Sequence, residues 1–151
     1  MSDLRELYQE VILDHSRAPR NFRRPSPVTH EAEGHNTLCG DRLTVYLNVA
    51  DGVVVDVGFQ GSGCAISTAS ASLMTEAVKG QPVEEAERLF QKFHEMLTGD
   101  PSEKAAIPEG IGKLEVMSGV REYPVRVKCA TLAWHTLHAA VEGSEEPITT
   151  E

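Results

Sequence analysis

The sequence predicts an α+β fold, a small antiparallel sheet of about three strands with helices packed on one face. Two patterns lead there. From Leu43 the chain alternates with period two: Leu43, Val45, Leu47 and Val49 face one way, Thr44, Tyr46 and Asn48 the other, as in a strand with one buried side. Asp51-Gly52 then marks a two-residue hairpin turn, and Val53, Val55, Val57 and Phe59 resume the alternation. Segments of helical spacing stand before and after this hairpin.

The first of these carries Leu4, Leu7, Tyr8, Val11 and Ile12 on one face. Pro19, Pro25 and Pro27, with Arg17, Arg20, Arg23 and Arg24, mark an irregular basic loop, read either as a solvated connector or as a docking surface. His30 to Asn36 adds a weakly patterned third strand. After the hairpin, glycines 61 and 63 open a helix expected to end at Gly80, with Ile66, Ala69, Leu73 and Ala77 as its apolar stripe. Gln81-Pro82 begins another through about Leu97, acid-rich in its first turn as the helix dipole favours. A polar loop spans Thr98 to Gly112, a last helix runs from near Pro124 to Val141, and the tail over about 142–151 is expected to fray. One domain over 1–151 accounts for the whole chain, since a chain of this length buries roughly 70% of its unfolded surface.

The formal charge of −9 argues against a nucleic-acid footprint, which needs a basic patch. No apolar run approaches the roughly 20 residues of a membrane span, and the acid-containing start lacks the features of a signal peptide. Cys39, Cys64 and Cys129 are odd in number and scattered, unlike a secreted disulfide framework. A cytoplasmic location with reduced thiols is the expectation, the thiols serving as buried fillers or as ligands.

In extended chain, residues i and i+2 share a face, so Cys39 and Asp41 point together, in line with Leu43 and Val45. Gly40 leaves the backbone between them free to turn. Cys64 stands where a glycine-rich loop meets a helix start, and unpaired N–H groups there favour a thiolate. The hairpin brings these two places to one end of the sheet. Cys129 lies in the last helix, with Arg126 three residues before it on the same face. His135 and His138 are rotated away from Cys129. Three thiolates and a carboxylate would suit Zn²⁺, leaving a residual charge of about −2 that Arg126 or Lys128 could offset. Each residue also has an ordinary reading: a cysteine as a small buried hydrophobe, Asp41 as a turn residue, Arg126 as a solvated helix residue. None of the cysteines has the close spacing of a zinc finger, and spacing alone leaves both readings open.

The stretches "LYQEVILDHSRAPRNF", "CGDRLTVYLNV", "GFQGSGCAISTASASLM" and "GVREYPVRVKCATLAW" occur in order along the chain. Together they resemble the U-type (IscU/NifU-like) iron–sulfur cluster assembly family, and more closely its SufU branch than the IscU scaffolds. The resemblance implies metal ligation by Cys39, Asp41, Cys64 and Cys129. IscU-like scaffolds carry a histidine just before the last cysteine, where this chain has Lys128, and the longer Leu97–Glu115 connection is SufU-like. The family's usual Asn-Pro before the first cysteine motif is Asn36-Thr37 here, which loosens the loop bearing Cys39. By the same resemblance, the protein is expected to be a zinc-dependent sulfurtransferase. It would take persulfide sulfur from a SufS-like, pyridoxal-phosphate-dependent cysteine desulfurase and pass it to a downstream iron–sulfur assembly complex. Cys39, on a loop, is the expected sulfur acceptor, and Arg126 balances charge. The alternatives are a scaffold carrying a transient [2Fe-2S] cluster on the same four residues, and an activator of the desulfurase whose zinc is structural.

Overall fold

The computed structural model describes residues 2–99, 108–143 and 146–150. Helix α1 (Ser2–Arg17) is followed by strands β1 (His30–Asn36), β2 (Asp41–Ala50) and β3 (Val53–Ser62). Helices α2 (Ala65–Val78) and α3 (Val83–Thr98), a 3₁₀ segment (Gly112–Glu122), α4 (Pro124–Glu142) and strand β4 (Ile148–Thr149) complete the chain. The α+β expectation holds, with one amendment: the sheet has four strands in the order β3-β2-β1-β4, and β4 runs parallel to β1. A two-residue strand is too short to display a period, which is why the sequence pattern does not reveal it. Within the tail, Thr150 donates its N–H to the His35 carbonyl at 3.3 Å. The expected polar loop falls, for residues 100–107, outside the described residues.

The hairpin closes as its turn chemistry demands. Asp51 and Gly52 both adopt positive φ, 53° and 75°, the two-residue turn whose twist matches that of the strands. The resulting register pairs Arg42 with Ser62, so the start of β2 lies beside the end of β3. Leu43, Val45 and Leu47 are buried, with Val57 and Phe59 of β3, against Leu132, Ala133 and Trp134 of α4.

Helix α2 is buried almost all round, between α1, α4 and the sheet. Its alanines and serines permit that, because hydroxyls can be satisfied locally without bulk. Ser70 Oγ donates to the Ala130 carbonyl at 2.5 Å. Ser72 Oγ lies 2.7 Å from His15 Nδ1 and accepts the Arg20 N–H at 2.8 Å. With Glu76 Oε1 3.6 Å from His15 Nε2, this outlines a nucleophile relay, but Ser72 is fully buried. It is a tie between helices. Helix α3 is amphipathic, and its Phe93 stacks on Trp134 with centroids 4.9 Å apart.

The basic loop turns out to be a strap. The Asn21 carbonyl accepts the Phe59 N–H at 3.1 Å, and Phe22 packs edge-on against the Phe59 ring. Arg23 pairs with Asp56 at 2.8 Å, and the Arg24 guanidinium lies 5.5 Å over the Tyr46 ring. Tyr46 and Gly58 are partners on the sheet face opposite Val45 and Leu47. Pro25 packs over Gly58, so the segment crosses from the helical layer around β3 to the sheet's other face. No helix among the described residues is long and apolar enough to cross a membrane.

Candidate metal centre

Each predicted ligand is delivered by a different local device. Cys39 sits in the turn Thr37–Gly40 that joins β1 to β2. Its N–H donates to both the carbonyl and the side-chain Oδ1 of Asn36, each at 3.3 Å, and Gly40 takes φ +71° to bring the chain into β2. Asn36 is itself buried, and its Nδ2 donates to Thr150 Oγ1 at 3.3 Å. Asp41, the first residue of β2, is buried on the face shared with Leu43. A carboxylate in that position needs donors, and one is the Cys64 N–H, 2.8 Å from Oδ1.

Cys64 is the N-cap of α2, where Ser67 donates its N–H to Sγ at 3.4 Å. A helix start stabilises a negative sulfur in this way. Cys64 Sγ lies 3.9 Å from Asp41 Oδ2. Gly63 makes room for this pairing, since a Cβ there would stand 2.6 Å from Asp41 Oδ1. Cys129 comes from α4, fully buried, with its Sγ donating to Cys39 Sγ at 2.8 Å. Burial pushes the Cys129 thiol well up, and contacts with Cys39, Cys64 and Asp41 push the same way. A neutral thiol is therefore strongly preferred there unless a cation compensates.

The donor atoms of Cys39, Asp41 and Cys129 lie within 4.8 Å of one another; Cys64 falls outside that group of three and meets it at Asp41, its Sγ 3.9 Å from Oδ2. The donor chemistry fits zinc, which accepts thiolate sulfur and carboxylate oxygen in a tetrahedron. Of the two sulfurs in contact, that of Cys39 is carried by a turn and is freer to adjust to an ion than that of Cys129, which is held in α4.

The two cations expected near the site line two different cavities. Arg126 is exposed and lines a groove of about 700 Å³ with Tyr8, Ile12, Ile66, Val120 and Tyr123. Lys128 lines a separate cavity. Charge compensation by Arg126 would therefore act from the groove beside Ile66, two residues beyond Cys64. Three supporting residues escaped sequence reasoning: Asn36, Gly63 and Ser67. Ser67 had a readable signal, its N–H three residues after a cap position; Asn36 and Gly63 act through long-range contacts that no local pattern displays.

The family model for the NifU-like N-terminal domain matches residues 7–147. The chain belongs to the IscU/NifU-like family. It is 40% identical over 141 residues to the iron–sulfur cluster assembly scaffold protein IscU of Thermotoga maritima, covering 93% of this chain and 96% of that one. It is 36% identical over 147 residues to the zinc-dependent sulfurtransferase SufU of Bacillus subtilis, covering 95% of each. Among solved structures, a candidate iron–sulfur cluster assembly scaffold protein for the SUF system from Fervidobacterium islandicum superposes with a TM-score of 0.81. That structure is 34% identical and covers 90% of this chain and 97% of its own. SufU-type membership of this IscU/NifU-like chain is thus supported both by sequence and by fold.

Proposed function

We propose that this IscU/NifU-like protein acts in iron–sulfur cluster assembly as a zinc-dependent sulfurtransferase, with Cys39 as sulfur acceptor and Cys39, Asp41, Cys64 and Cys129 as ligands. The observation that carries the reading is the asymmetry of the donor set. Cys129 belongs to a helix, Cys64 caps the start of another, Asp41 opens a strand, and Cys39 alone stands in a turn. Lys128 strengthens it, since that residue offers no ligand where scaffolds carry a histidine and its side chain lines a different cavity. Zinc, when bound, supplies positive charge that keeps the sulfurs deprotonated at neutral pH.

The chain's own residues do the rest. Asp41 and the α2 N-terminus hold Cys64 in place, and α4 holds Cys129. Cys39, freed from its ligand position, attacks the terminal sulfur of a persulfide on a cysteine desulfurase. A new S–S bond forms on Cys39, the donor's S–S bond breaks, and the donor cysteine leaves as a thiolate. No net oxidation occurs. Arg126, in the groove beside Ile66, offsets the negative charge that accumulates as two anionic sulfurs approach. The desulfurase is expected to be of the pyridoxal-phosphate-dependent SufS type, and the sulfur passes on to a downstream assembly complex.

The test is transfer of labelled sulfur from a desulfurase to the zinc-loaded protein. Cys39→Ala is expected to lose labelling while Arg126→Ala is slowed; full labelling of Cys39→Ala overturns the assignment. The identity to the Thermotoga scaffold favours a second reading, in which a [2Fe-2S] cluster is assembled on the same ligands. Anaerobic reconstitution separates the two, because a stable cluster that displaces zinc from the protein supports the scaffold.

A further inference from the structure

Helix α4 has a second functional face. A cavity of about 610 Å³ lies between the end of α3, the end of the 3₁₀ segment, α4 and β4. Its volume is that of a small-molecule site. Its walls carry His94 from α3, Arg121 from the 3₁₀ segment, and Lys128, His135 and His138 from α4. Leu97, Val127 and Ile148 supply an apolar floor, while the hydroxyls of Thr98, Thr131 and Thr150 are turned to the His94, Val127 and Lys128 carbonyls. Among the described residues, no carboxylate lines it.

The imidazoles are crowded. The His94 and His135 rings are 5.6 Å apart, edge to face, and both pack on Phe90 together with His138. Burial and the neighbouring His94 and His138 hold the His135 imidazole below its ordinary value. The nearby carboxylate, Glu87, is engaged by His138 Nδ1 at 2.7 Å and is not part of the lining. The wall therefore presents imidazole N–H groups and the Lys128 ammonium to whatever enters, with apolar surface behind them.

We propose that this cavity binds a small organic oxyanion, a carboxylate whose carbon skeleton rests on Leu97, Val127 and Ile148 while its charge meets Lys128, His94 and His135. Charge-assisted bonds to such donors are the strong class of hydrogen bond, and the apolar floor favours an organic anion over a bare inorganic one. This site stands apart from the thiol centre, although Lys128 adjoins Cys129 in sequence. It rests on its own lining and not on the sulfurtransferase reading.

The experiment is a titration of the full-length, zinc-loaded protein with succinate, and in parallel with inorganic phosphate, at constant ionic strength, followed by NMR of the imidazole resonances. Saturable shifts at His94 and His135 are expected with succinate, while His15, buried between α1 and α2, stays still. Lys128→Gln, an exposed change that leaves the core intact, should weaken binding roughly tenfold, and a His94→Gln/His135→Gln double variant should abolish the saturable response. Equal or tighter binding of phosphate would overturn the organic-ligand assignment. Shifts that grow linearly without saturation, or a Lys128→Gln protein that binds as the parent does, would overturn the site.

Discussion

Gly63 is the residue at which the thiol centre is most easily disturbed without touching a proposed ligand. A methyl group there would meet Asp41 Oδ1 at 2.6 Å and Ser67 Oγ at 3.3 Å. The backbone cannot retreat, because the Cys64 N–H is bonded to the same carboxylate. Asp41 must therefore swing away. Outer contacts of this kind typically change metal affinity by about 10–100-fold. Gly63→Ala is expected to lose zinc affinity on that scale, read by competition with a chromophoric chelator, while its metal-free thermal midpoint changes little. His15 supplies the pH dependence. Burial, then the charges of Lys113 and Arg20, hold its imidazole below the ordinary value despite Glu76 and Asp14. As pH falls below about 6.5, the unfolded chain takes up a proton that the folded one refuses. Stability should then drop toward acid, by at most about 1.4 kcal/mol per pH unit for this group, until the depressed folded value is reached. His135, also held low, adds to the slope. Urea titrations between about pH 7 and pH 5 should show this, and His15→Asn should flatten part of it.

At the scale of elements, the strap over residues 18–29 determines whether the sheet keeps its second covered face. Gly58 is the contact point: a Cβ there would lie 2.1 Å from the Arg23 carbonyl and 3.0 Å from Pro25 Cδ. Gly58→Val forces the strap off Tyr46 and Phe59, with an expected loss of about 1–3 kcal/mol, typical of overpacking. Equilibrium denaturation measures it, and an unchanged midpoint would mean the strap contributes nothing. The strap also illustrates what the sequence could and could not reveal. Period-two alternation and the Asp51-Gly52 turn made β2 and β3 legible, since their signals are local. The stripe Ile66, Ala69, Leu73, Ala77 located α2 but understated it, because a helix of alanines and serines buried on several sides has no clear polar face. The 3₁₀ segment went unread for a related reason: it buries Leu114, Val116, Met117 and Val120 at spacings that follow no 3.6-residue period. Arg17 to Arg24 read as a basic loop, and nothing in it named Asp56 or Tyr46 as partners. The meeting of Cys39, Asp41 and Cys129 was half legible. Register brought Cys64 to Asp41, whereas the approach of α4 to the turn is a matter of tertiary packing.

At the scale of the whole molecule, the last described residues reach back to the thiol centre. Thr150 Oγ1 donates to the Lys128 carbonyl at 3.0 Å, in the turn of α4 that carries Cys129. The same hydroxyl accepts from Asn36 Nδ2, and Asn36 in turn accepts the Cys39 N–H. One threonine thus braces both the turn that bears Cys39 and the helix turn that bears Cys129. β4 itself adds only two residues to the sheet and packs Ile148 against the core, so its removal should cost little global stability. Its loss should be felt where the bonds converge. A chain ending at Gly143 is expected to keep its fold by circular dichroism and to lose only about 1–2 kcal/mol, the worth of two or three net hydrogen bonds. In the metal-free protein, alkylation of Cys39 should accelerate by roughly tenfold as its turn loosens, while Cys129, held inside α4, stays slow. If both thiols accelerate together, the tail secures α4 as a whole and not the turn; if neither does, Asn36 alone holds Cys39 in place.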